Sequence, residues 1–264
     1  MKSVKKYVIG IASVILAGSL GVSCTKKYDE KLTRVEGNDN TSILQVYMAM
    51  VGPARNYVYV DSKPVNGSSM VWGSVFPTTA YGFTVPGGVR AFLVKDTATS
   101  STQVPLSFGE NLAAGKNYTV FMYDTTTAPK QKTVETNIEI PSDTSARIRF
   151  ANFIYTTSAI PPVDIYSKRL NAVIFNNVAV SEVTNFIPYA SAVTDTFYVR
   201  NSGSPNNIQN FKPGTAPAPG EFVDITLVLR PTGKRSYTLV YRGGAKSTGT
   251  TNGTVRTLSS FVNY

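Results

Sequence analysis

The chain has 264 residues, with 26 lysines and arginines against 16 aspartates and glutamates, no histidine and a single cysteine. Without histidine no Ser-His-Asp or Cys-His nucleophile can be assembled, and the commonest metal ligand is missing, so neither a metal nor another cofactor is expected. One thiol leaves no internal disulfide, and the length suits one large or two ordinary domains stabilised by burial alone.

Lys2, Lys5 and Lys6 precede an uncharged apolar stretch from Tyr7 to Leu20, and Gly21, Val22 and Ser23 lead into Cys24. The stretch is shorter than the ~20 residues that cross a bilayer. Basic, apolar and small residues in that order before a cysteine resemble a bacterial lipoprotein signal. The resemblance implies cleavage before Cys24 and acylation of its thiol and amino group by fatty acids such as palmitate. It also implies a mature protein anchored in the outer membrane, facing the periplasm or the cell surface. Several acyl chains on one residue make a lasting tether. Losing the leader's lysines lowers the net charge from +10 to +7. Residues 24–41 are polar and charged without apolar periodicity, which reads as a flexible tether.

From Ser42 onward apolar residues recur at a period of two, the mark of half-buried strands. Leu44, Val46 and Met48 open the pattern. Val58 and Val60, Met70 and Trp72, Phe92 and Val94, and Tyr118, Val120 and Met122 continue it. Turn signals at Gly52-Pro53, Asn66-Gly67, Pro86-Gly87-Gly88 and Ala114-Gly115 separate these runs. The fold class expected is all-β, a sandwich or barrel.

A second cycle follows in the same order, through Ile148 and Phe150, Val163 and Ile165, Val173 and Phe175, Phe197 and Val199, then Val223, Ile225, Leu227 and Leu229. At a spacing of 105, Ser62, Lys63 and Asn66 match Ser167, Lys168 and Asn171, while Phe92, Val94 and Gly115 match Phe197, Val199 and Gly220. The order of the matches points to duplication. The expected organisation is two tandem immunoglobulin-like antiparallel sandwiches, 42–140 and 146–264, joined by a linker over 141–145.

Ala146-Arg147-Ile148-Arg149-Phe150-Ala151-Asn152, then Pro161-Pro162-Val163-Asp164-Ile165-Tyr166, and later Phe222-Val223-Asp224-Ile225-Thr226-Leu227-Val228, resemble the domain-of-unknown-function 4397 family. That resemblance implies β-sandwich domains that often occur in tandem in secreted bacterial lipoproteins. It extends more faintly over 43–123, where the constant spacing sets Tyr59 opposite Asp164. The family name implies no activity.

Residues 41–140 hold seven basic and six acidic side chains, and residues 144–264 twelve and five. The excess is dispersed rather than concentrated, so no nucleic-acid partner is expected. The segment Val223 to Tyr241, with Pro231-Thr232-Gly233-Lys234 at its bend, reads as a hairpin gathering Arg230, Lys234, Arg235 and Arg242 at one end. Those four could meet an anion, or simply protect a sheet edge. Flat aromatic rings with polar handles stack on sugars as readily as they fill cores, which singles out Tyr57, Tyr59, Trp72 and Tyr81. Paired carboxylates could hydrolyse glycosides without histidine, but Asp61, Asp96, Glu110, Asp124, Asp164, Glu182, Asp195, Glu221 and Asp224 fall in no recognised motif and mostly at solvent-facing strand positions. The residues therefore point to a non-catalytic, lipid-anchored envelope protein acting in surface binding, adhesion or architecture. The alternative is a glycan-binding accessory lipoprotein of a polysaccharide-capture system, and a carboxylate-based hydrolase is a distant third.

Overall fold

A computed structural model describes residues 40–52, 55–79, 82–138, 140–211, 222–245 and 254–263. The leader, Cys24, most of the tether and Tyr81 lie outside the described residues. Gly37–Tyr264 forms one compact unit.

The fold is all-β. The first half contributes β1 (Thr41–Met48), β2 (Asn56–Val60), β3 (Lys63–Pro64), β4 (Val75–Phe76), β5 (Phe83–Pro86), β6 (Gly88–Asp96), β7 (Leu106–Leu112), β8 (Asn117–Thr125) and β9 (Ala128–Glu135). The second contributes β10 (Ala146–Tyr155), β11 (Val163–Ser167), β12 (Ala172–Val178), β13 (Ile187–Tyr189), β14 (Asp195–Asn201), β15 (Gln209–Phe211), β16 (Phe222–Asp224), β17 (Thr226–Leu229), β18 (Ser236–Gly244) and β19 (Thr257–Val262). The run at Met70 and Trp72 is not a strand. Met70 makes an isolated bridge with Asn56, and the backbone turns at Gly73, whose φ of +78° favours glycine.

A first inner sheet has the order β4-β1-β8-β9, with β5 also pairing β1, and a first outer sheet has the order β3-β2-β6-β7. The second half repeats this with an inner sheet β13-β10-β18-β19, an outer sheet β12-β11-β14-β17 and a ribbon of β15 and β16. Neighbours run antiparallel except β1 with β8 and β10 with β18, which are parallel.

Each inner sheet packs on the outer sheet of its own half. Leu44, Val46 and Val120 meet Val58, Phe92 and Val94, and Ile148, Phe150 and Leu239 meet Ile165, Phe197 and Val199. The remaining faces of the two inner sheets meet each other, Tyr47, Ala49 and Phe121 against Ala151, Phe153, Val240 and Phe261. Phe121 stacks on Phe153 with ring centres 4.6 Å apart, and Tyr47 stacks on Phe261 at 5.1 Å. The layers therefore run outer, inner, inner, outer. Central strands of the inner sheets bury both faces, which is why every residue of β18 is buried.

The hydrogen-bond ladders of the second half repeat those of the first. Val58 faces Val94 across β2 and β6 as Ile165 faces Val199 across β11 and β14. The Tyr118 hydroxyl accepts from the Ala113 N–H at 3.0 Å as the Tyr237 hydroxyl accepts from the Thr232 N–H at 2.9 Å. This register matches Tyr59 to Tyr166 rather than to Asp164, because the path from the first of these paired strands to the second is two residues shorter in the second half. It also matches Gly115 to Lys234, both with left-handed backbone at φ +76° and +61°. The β15–β16 ribbon lengthens the second half between β14 and β18, so one constant spacing cannot hold throughout.

Asp195, one of the carboxylates expected to be mostly solvent-facing, shares the inward phase of Phe197 and Val199 and is only 3% exposed. Ser167 Oγ donates to it at 2.5 Å, the Tyr189 hydroxyl donates to the same oxygen, and the N–H groups of Arg169 and Thr196 donate at 2.8 and 2.7 Å. Burial pushes its pKa up, but these donors outweigh burial and hold it below the ordinary 3.8. A depressed carboxylate adds stability above its unfolded pKa and loses it as pH falls through the folded value. Urea titrations of Asp195→Asn should therefore show a deficit against wild type at pH 7 that shrinks steadily below pH 4. An equal deficit at pH 7 and pH 2.5 would contradict the assignment.

Candidate functional site

Tyr57 and Tyr59 lie on the outward face of β2, since Val58 and Val60 take the inward positions. Lys95 of β6 reaches diagonally across the ladder and sets its ammonium 5.3 Å from the centre of the Tyr59 ring. The second outer sheet holds the same device. Arg200, at the register position of Lys95, lies 3.5 Å over the Tyr166 ring, and Tyr198 stands beside Tyr166 with ring centres 6.4 Å apart. Val173, Tyr166, Tyr198 and Thr226 follow one another across four strands. Val173 is 43% exposed, because register shifts in the β11–β12 ladder break the alternation that placed it with Phe175 in the core. Sequence reasoning missed Tyr166, Tyr198 and Arg200. Their signal was their phase, since they alternate with the core residues Ile165, Phe197 and Val199.

Trp72 and Arg242, chosen for unrelated reasons, meet at the seam between the inner sheets. The Arg242 guanidinium lies 5.2 Å from the Trp72 ring centre, and its Nε donates to the Tyr47 hydroxyl at 3.2 Å. Tyr47 and Ser259 share a hydrogen bond of 2.9 Å. A side chain on Gly73 would strike the guanidinium. These contacts tie the halves together.

The hairpin expected over Val223 to Tyr241 does not form. β17 pairs with β14 in the outer sheet, whereas β18 pairs with β10 and β19 in the inner sheet. Pro231–Arg235 instead carries the chain from one sheet to the other. The turn is bonded to the chain entering β10, with Lys234 N–H donating to the Ser145 carbonyl at 2.7 Å. Arg230, Lys234 and Arg235 belong to this crossing, with Arg230 Nε on the Ala192 carbonyl at 3.0 Å. Arg242 sits near the other end of β18, buried, and is not part of that group.

The carboxylates are spread among local partners. Asp61 pairs with Arg90 at 2.8 Å and Asp124 with Lys130 at 2.7 Å. Asp224 accepts from Asn207 and Gln209, both at 2.7 Å. Asp164, like Asp195, is buried rather than solvent-facing, and takes the N–H groups of Asn177 and Gly203 at 2.7 and 3.0 Å.

A polar network crosses the seam. Gln45 of β1 donates to the Val262 carbonyl at 2.9 Å and accepts from Asn263 at 3.0 Å. Arg149 of β10, 2% exposed, reaches the opposite way. Its Nε donates to Thr238 at 2.8 Å, and its Nη2 to Thr119 at 3.1 Å and Thr136 at 3.2 Å. Its guanidinium also lies 4.7 Å from the Phe186 ring centre. Every acceptor is a neutral hydroxyl. Burial lowers its pKa to about 9, which still leaves the group charged at neutral pH. Beside it is a cavity of about 210 Å³ that Arg149 helps to line.

No protein-family model matches the sequence. No curated protein matches it either. Among solved structures, the chain is similar to the carbohydrate-binding module CBMbc (family CBM26) of Amy13K from Eubacterium rectale, in complex with maltoheptaose. The identity is 10% and the TM-score 0.24, over 81% of this chain and 100% of that one.

Proposed function

We propose that this protein is a non-catalytic surface-binding lipoprotein, anchored to the cell envelope through Cys24, that captures glycans on its outer sheets. The observation that carries the glycan reading is the recurrence of a cation over a tyrosine at the same register position of both outer sheets, Lys95 over Tyr59 and Arg200 over Tyr166. A sugar ring has an apolar C–H face and a rim of hydroxyls. A tyrosine offers a flat apolar ring and a polar hydroxyl to match it, and a cation packed on the ring restrains its orientation before binding. In the second half Tyr198 widens the row beside Tyr166, and Thr226 extends it with a hydroxyl. The anchor reading rests on the order of basic, apolar and small residues ahead of Cys24.

Glycan arrays followed by affinity electrophoresis of the purified protein test this. Wild type should be retarded by at least one polysaccharide, and Tyr166→Ala with Tyr198→Ala should weaken that retention about tenfold, the loss of one stacked aromatic contact or more. Saturable binding to no arrayed glycan would overturn the proposal.

A further inference from the structure

We infer that the cavity at the seam is a binding site for a small organic carboxylate, whose charged group sits on Nη1 of Arg149. The cavity draws Glu135 and Asn137 from the first half and Arg147, Arg149, Asn185 and Phe186 from the second. Arg149 is almost wholly buried and lines it, yet among the described residues Nη1 makes no hydrogen bond, whereas Nε and Nη2 are held by three threonines. Those threonines fix the guanidinium plane and the Phe186 ring backs it, so the free N–H groups are already oriented for an acceptor. A buried cation without an anionic partner is costly, and an anion entering the cavity would remove that cost.

The rest of the wall narrows the ligand. Glu135 is held 2.8 Å from Lys116, which neutralises it. Arg147 uses its Nη1 on Ser145 Oγ at 2.8 Å and adds a second positive group on the same strand. The amides of Asn137 and Asn185 supply donors and acceptors suited to hydroxyls, and Phe186 supplies an apolar face. A volume of about 210 Å³ has room for one six-membered ring bearing a carboxylate. An acidic sugar and a free organic acid share this chemistry. The inference stands independently of glycan capture by the outer sheets.

Calorimetric titration of the purified protein with glucuronate, acetate and glucose separates the outcomes. Glucuronate should bind and glucose should not. Arg149→Met should weaken glucuronate at least about tenfold, as expected when a charge-assisted contact is lost. Tyr166→Ala should leave it unchanged. Asn185→Ala, an exposed position, should weaken glucuronate about threefold without affecting acetate, as expected for one lost neutral hydrogen bond. Tighter binding of glucuronate than acetate supports an acidic sugar as ligand, and equal affinities support a simple organic acid. Equal binding of glucose and glucuronate, no binding of either acid to wild type, or unchanged affinity in Arg149→Met would overturn the inference.

Discussion

Replacing Phe121 with alanine is expected to lower the free energy of unfolding by about 3–5 kcal/mol, the range for truncating a buried aromatic without full collapse of the space it leaves. Phe121 has no exposed surface. It stacks on Phe153 at 4.6 Å and lies 6.0 Å from Tyr47 and 6.3 Å from Phe261. No other seam side chain among the described residues makes as many of these ring contacts, so its loss should also uncouple the halves. Urea denaturation followed by far-ultraviolet circular dichroism should show one transition in wild type and two, or one broadened transition, in the variant. Ile43→Ala, at a position 40% exposed, should cost no more than about 0.5–1 kcal/mol. A loss of similar size for both variants would mean that the seam contributes nothing special.

Arg149→Met is expected to act in the opposite direction and raise stability by about 1–2 kcal/mol, because an apolar side chain of similar length removes a buried charge. The acceptors it abandons keep other partners. Thr119 and Thr136 share a hydrogen bond of 2.7 Å, and Thr238 donates to Asn263 at 2.5 Å. For a protein of this size the gain corresponds to a rise in Tm of roughly 2–8 °C. Differential scanning calorimetry measures it directly. A fall of more than about 1 kcal/mol would mean that the three hydroxyl contacts and the Phe186 ring outweigh the desolvation of the guanidinium. A rise would show that Arg149 is kept at a cost to folding, as a binding residue is.

The strands were legible where one face meets the core and the other meets water. Val58 and Val60 alternate with Tyr57 and Tyr59, and both the strand and its inward face follow from that pattern. The inner strands were half legible. Leu44, Val46 and Met48 declare one buried face, but Gln45, Tyr47 and Ala49, which look outward by alternation, bury themselves against the other half. A polar or aromatic residue on such a strand carries no mark separating a seam from a solvated surface, and so Arg149 went unnoticed. The hairpin at Pro231 failed for a related reason, since turn chemistry fixes that the chain bends and not which sheet the next strand joins. Trp72 was singled out as a flat aromatic ring and Arg242 by charge, and only the packing of one half on the other shows that they touch. The recurrence of the strand order was visible in the sequence, while unequal connections hid which tyrosines stand at equivalent positions.

The stacking order of the four layers has a consequence for valency. With sheets spaced about 10 Å apart, the two tyrosine-bearing surfaces stand roughly 30 Å from each other and look in opposite directions. A flat polymer lying on one of them cannot fold back to reach the other, so the two cannot chelate a single short chain. Occupied together, they would cross-link separate strands, with the protein acting as a rivet between them.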